Sequence, residues 1–201
     1  MIDLVQRLAG RKPIQSLKPV TVWDAELDDT IKMVVGEWAE RKEAGNHSHA
    51  LSVLSGMHLW NDSLDASHTI SQNLHTPSGS YWHAIMHRME GDYWNSKYWY
   101  NRVGKHPVFS ELSGYVKELL AEEKSGRVRA ELEALVRTVE WDPNRFVDAV
   151  ERQVEKERDE AVIAVLERVQ WCETALLLRY CYRAAGEGAD IDLNDIESEL
   201  V

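Results

Sequence analysis

The chain has 201 residues, 44% of them hydrophobic and eight of them tryptophan, which is enough apolar matter for a folded core and excludes general disorder. Its net charge of −11 is lopsided: residues 1–110 carry 12 acids against 11 Lys and Arg, whereas residues 111–201 carry 22 against 12. Nucleic acid is therefore an unsuitable partner for the second half, no apolar run is long enough for a membrane span, and the N-terminal stretch lacks a secretory core, so a cytoplasmic protein is expected.

Prolines at 13, 19, 77, 107 and 143 divide the chain into long proline-free stretches, the pattern of a helical protein. Residues 1–22 read as an N-terminal connector, with Val20-Thr21-Val22 the only strand-like run. Asp24 caps an expected helix to about Ala44, with Leu27, Ile31, Val34 and Trp38 as its apolar stripe. Further helices are expected over about 48–60, 62–74, 78–90, 92–103, 108–124 and 127–140. Asp142-Pro143 then opens one long helix to about Ala185, striped by Val147, Val150, Val154, Ala161, Val165, Val169, Cys172 and Leu176. The polar run Glu155–Glu160 is read as its solvated face, with a bend as the alternative. Residues 187–201 form an acidic tail. The class is all-α, a single domain of about eight helices.

Cys172 and Cys181 stand about 180° apart on a helix, so they are read as small core residues and not as a disulfide or a metal pair. An acidic apolar helix also disfavours a thiolate nucleophile. Phosphate loops and Gly-x-Ser-x-Gly are absent.

The chain matches itself at an offset of 30: Pro77 falls on Pro107, Asp62 on Asp92 and Ala66 on Ser96. Each unit would be a helix, a tight turn and a second helix. Gly91-Asp92-Tyr93-Trp94-Asn95-Ser96, followed by Tyr98-Trp99-Tyr100 and Val103, resembles the turn and second helix of a tetratricopeptide repeat. Ala84 and Ser96 fit that family's small positions. Ser80 and Leu54 depart from it, and the offset is shorter than the family's period of about 34. The resemblance covers about residues 47–107 and implies a stack of helical hairpins. The blocks 79–92 and 97–107 also resemble a signature of bacterial proteins of unassigned function, which brings no catalytic residue with it.

All eight histidines lie between His47 and His106. His83, His87 and Glu90, spaced i, i+4, i+7, share one helix face within about 60° and suit a divalent transition metal, with His58 as a further ligand. The metalloprotease and di-iron spacings are absent. The competing reading comes from the offset of 30, which puts His83 and His87 on Val53 and Met57 as packed core residues. Arg88, Glu90, Asp92, Asn95, Lys97, Tyr98 and Arg102 join the two histidines as candidate ligand-binding residues. Basic and aromatic groups there suit a protein, peptide or small anionic ligand. Arg88 is alternatively expected to pair with Asp92 across the turn, and His47-Ser48-His49 to cap a helix start. The leading expectation is a non-catalytic interaction or ligand-binding protein whose main concave pocket the 78–107 hairpin lines. The alternatives are a metal-binding helical bundle, enzymatic or not, and a homodimer formed through the C-terminal helix.

Overall fold

The computed structural model describes residues 1–124, 126–138 and 140–186; the expected acidic tail lies outside them. The fold is all-helical, 76% helix in ten helices, with no strand among the described residues, Val20–Val22 included. No helix there is long and apolar enough to cross a membrane.

α1 spans Ile2–Ala9, inside the stretch expected to be a connector. α2 begins at Ala25–Thr30, where Asp24 accepts from the Leu27 amide; it widens into a π turn over Ile31–Val35 and finishes at Gly36–Glu40. The wider turn carries steps of four along one face. The buried set is accordingly Leu27, Ile31, Val35 and Ala39, while Val34 and Trp38 of the expected stripe are only partly buried.

Two helix pairs follow. α3 (Ala44–Trp60) turns through Asn61–Ser63 into α4 (Leu64–Ser71), and α5 (Pro77–Glu90) turns through Gly91 and Asp92 into α6 (Tyr93–Val103). Gly91 takes φ 93°, the left-handed stop of α5, where a side chain would also meet Lys18. Each pair is closed by a small hydroxyl: Ser55 Oγ lies 3.0 Å from Ser67 Oγ, and Ser96 Oγ donates to the Ala84 carbonyl at 2.7 Å. These two contacts correspond at an offset of 29, and so do the caps Ser63 and Asp92. Ser55, not Leu54, is thus the small position of the first pair, and His87 corresponds to His58. The offset of 30 survives at Pro77 and Pro107, each at the first position of its helix after the caps Thr76 and His106.

α7 (Pro107–Glu122) and α8 (Gly126–Leu135) form a third pair. The long C-terminal helix is broken. α9 (Pro143–Arg152) ends in a π turn, Gln153–Glu157, and Arg158 stops it in the left-handed conformation at φ 55°. Asp159 then caps α10 (Glu160–Ala184). The polar run is largely exposed, as a solvated face would be, and is also a built break: buried Gln153 bonds Glu157 and accepts from the Asp159 amide at 3.2 Å. α10 packs on α3, α7 and α8. Every residue from Val169 to Leu178 is buried, so the middle of α10 is enclosed on all sides and that stretch is fully used within the chain. Cys172 and Cys181 are both buried on α10 and form no disulfide, and burial pushes the Cys181 thiol up to about 12.

Candidate functional site: a histidine cluster beside a buried ion pair

The hairpin α5–α6 carries two different constellations on two sides of α5. On the inner side Arg88, 0% exposed, is held by α10. Its Nη2 donates to Glu173 Oε2 at 2.6 Å and its Nη1 to the Tyr100 hydroxyl at 2.8 Å; Tyr81 and Tyr100 both donate to Glu173 Oε1, at 3.0 and 2.9 Å. Phe146 of α9 lies under the guanidinium, 4.4 Å from centroid to Cζ. Burial alone would lower the Arg88 pKa, but the Glu173 carboxylate more than offsets it and the net shift is upward. Burial, then Glu173, pushes the Tyr81 phenol well up. Burial does the same to Tyr100, with Arg88 opposing and Glu173 adding. Arg88 thus pairs with Glu173 rather than with Asp92, and no ligand reaches it. A guanidinium at zero exposure needs a carboxylate, and Asp92 sits exposed on the turn, capping α6 through the Asn95 amide at 3.1 Å.

On the other side lie three imidazoles. His83 and His87 come from consecutive turns of α5, and His68 comes from α4, which the 72–76 turn folds back against α5. One ring nitrogen from each lies within 4.8 Å of those of the other two. The rings of His83 and His87 are 4.6 Å apart, those of His68 and His83 4.8 Å, and Trp99 of α6 covers His83 at 4.2 Å. His83 and His87 are buried, as the packed-core reading requires, while His68 is partly exposed and opens the cluster to solvent.

The hydrogen bonds leave nitrogens spare. His83 Nδ1 lies 3.1 Å from Ser71 Oγ, and Nε2 has no hydrogen bond among the described residues. His87 Nδ1 lies 2.5 Å from Glu90 Oε1, and Nε2 accepts from the Asn95 amide at 3.2 Å. Burial, with His87 and His68 adding, lowers the His83 pKa to about 3, so the ring is neutral at ordinary pH. A second trio, His87, Glu90 and Asp92, also comes within 4.8 Å, but Glu90 is already spent on His87 and Asp92 on the cap.

The structure brings His83, His87, Glu90 and Asn95 close together, with Glu90 on the His87 ring instead of free to ligate, and adds His68. Residue spacing missed His68 because it lies on another element; the usable signal is that an antiparallel hairpin setting Ser71 opposite His83 also sets His68 opposite His87. His58 stands elsewhere, its Nδ1 2.8 Å from Asp28 in a network with Asn61 and Ser63. Lys97 is turned toward Asp148 and Glu151 of α9. Trp94 is 77% exposed and stacks on Tyr98, with Arg102 over Tyr98 and Trp99. Of the nine hairpin candidates, only Arg102 lines either of two pockets near it, a shallow one of about 280 Å³ with His75, Ser80 and Trp99; the other, about 660 Å³, has none. His47 lies inside the first turn of α3, not at its cap, 3.0 Å from the Ala39 carbonyl.

No protein-family model, no curated protein and no solved structure matches this chain.

Proposed function

We propose that this protein is a ligand-binding helical-repeat protein whose ligand is a divalent transition metal ion, held by His68, His83 and His87. The observation that carries the reading is the convergence of three ring nitrogens within 4.8 Å, two of them on buried rings. Neutral imidazole is the form that ligates, and His83 is neutral. Imidazole sets suit zinc, copper, nickel or iron. Glu90 on His87 Nδ1 is the carboxylate partner that fixes a ligating ring and raises its basicity. In a tetrahedral site with bonds of about 2.05 Å the nitrogens stand ~3.3 Å apart, so ring rotations draw the cluster in and the Asn95 amide turns aside from Nε2. A tetratricopeptide-like stacking of the three hairpins and a cytoplasmic setting belong to the same reading. A protein or peptide partner is a second reading, favoured by Trp94 and Tyr98 standing exposed on the outer face of α6.

The test is uptake of Co²⁺ or Zn²⁺ by protein stripped with a chelator. One ion per chain is expected, with visible cobalt bands of a tetrahedral nitrogen site, lost in His68→Ala and in His87→Ala and retained in His58→Ala. Absence of stoichiometric uptake, or equal loss in His58→Ala, would overturn the reading in favour of packed core histidines.

A further inference from the structure

The cleft of about 660 Å³ lies between the C-terminal end of α6, the first turns of α7 and the segment entering α9, and shares no residue with the histidine cluster. Its size is that of a small-molecule site. Phe109 and Trp141 give it aromatic walls. Three buried polar atoms of its lining residues have no hydrogen-bond partner: Ser113 Oγ, Trp141 Nε1 and Asn144 Oδ1. Ser113 and Trp141 are each only 5% exposed, so water does not readily stand in for the missing partner. The indole nitrogens of Trp60, Trp82 and Trp171 are also unpaired, but those residues do not line the cleft.

The charges at the rim are uneven. Asp142 is committed to the Asn144 amide and to Arg145, and Glu140 to Lys105 at 3.7 Å. Lys117 has no ion-pair partner among the described residues. Two of the three unpaired groups, Ser113 and Trp141, can donate, and so can the free Lys117 ammonium; Asn144 Oδ1 only accepts. That set fits an anion beside a flat ring bearing one hydroxyl or N–H. The chain's net charge of −11 selects against polyanions.

We propose that this cleft binds a small aromatic monoanion, its ring against Phe109 and Trp141 and its carboxylate on the exposed Lys117. Ser113 Oγ and Asn144 Oδ1 are covered in this structure; side-chain rotation uncovers them as the ligand seats, so that Ser113 donates to the carboxylate and Asn144 accepts from a ring hydroxyl. The experiment is calorimetric titration of the full chain, in chelator, with 3-hydroxybenzoate, with neutral 3-hydroxybenzamide as the control. Expected are one saturable site, amide binding weaker by about tenfold, and affinity reduced roughly fivefold or more in Lys117→Gln and in Ser113→Ala. His87→Ala, which disables the proposed metal cluster, should leave the affinity unchanged. Lack of saturable binding at millimolar probe, equal binding of the amide, or wild-type affinity in Lys117→Gln would each overturn the proposal.

Discussion

Arg88 is a full charge with no exposure, and its environment answers it group by group: a carboxylate, a phenol oxygen and an aromatic face. Removing one member of such a pair strands the other, which costs about 3–5 kcal/mol. Glu173→Gln is therefore expected to lower unfolding free energy by about that amount in urea titration. Arg88→Met combined with Glu173→Leu, which removes both charges, should recover most of the loss. Nothing in residue spacing points to this pair, because its members are 85 positions apart. The readable hint was a glutamate inside the apolar run Trp171–Leu178, where a solvated charge has no place. The histidines act through pH. Burial lowers the folded pKa of His83 to about 3 and of His106 to about 4, both below an unfolded value of about 6.5. The unfolded chain then binds more protons as pH falls, so stability is full above about pH 6.5 and declines steadily toward pH 4. Denaturation midpoints measured across that range should show the decline, with a shallower slope in His83→Gln.

At the scale of elements, close approach decides more than propensity. Gly56 lies in the middle of α3, where alanine would ordinarily gain up to about 1 kcal/mol. A Cβ there would stand 2.4 Å from the indole of fully buried Trp82, which has no room to retreat. Overpacking of this kind costs about 1–3 kcal/mol, so Gly56→Ala should lower the thermal midpoint despite its better helix propensity. Arg158 gives the opposite case: it is an exposed non-glycine residue at φ 55°, and Arg158→Gly should stabilise by up to about 1 kcal/mol in the same assay. Helix starts were legible at Asp24 and at Asp142-Pro143, whereas the caps Thr76, His106 and Asp159 were not read, Asp159 because it sits inside a polar run that looked like one continuous helix face. The two π turns were not. Each continues the helix with one residue more per turn, which leaves hydrophobic content intact and only rotates the face, as the exchange of Val34 and Trp38 for Val35 and Ala39 shows.

For the whole molecule, the all-α class followed from proline placement and stripes, and the hairpin pairs from their turns. The role of α10 as the central helix did not, since an amphipathic stripe was all its heptads displayed between charged flanks. Two of the three histidines of the cluster were visible as i, i+4 spacing; the remaining ligand comes from packing between hairpins, which spacing on one helix does not report. If metal fills that cluster, saturation at about 100 times Kd adds ~2.7 kcal/mol, which for a chain of this size raises Tm by about 5–10 °C. Differential scanning with and without Zn²⁺ checks this, and His68→Ala should abolish the rise.

The ion pair between α5 and α10 also sets an order of events in synthesis. Arg88, Tyr81 and Tyr100 leave the ribosome long before Glu173, which satisfies all three. Until then the face of the second hairpin that carries Arg88 has no cover, and any other apolar element settling on it would bury a lone cation, which is prohibitive. The nascent chain therefore waits with that face open, and α10, which emerges after the other nine helices of the described residues, is the one that covers it. A stop codon before residue 173 is therefore expected to leave Arg88, Tyr81 and Tyr100 without the carboxylate they share, and so a chain whose inner face has nothing to close upon.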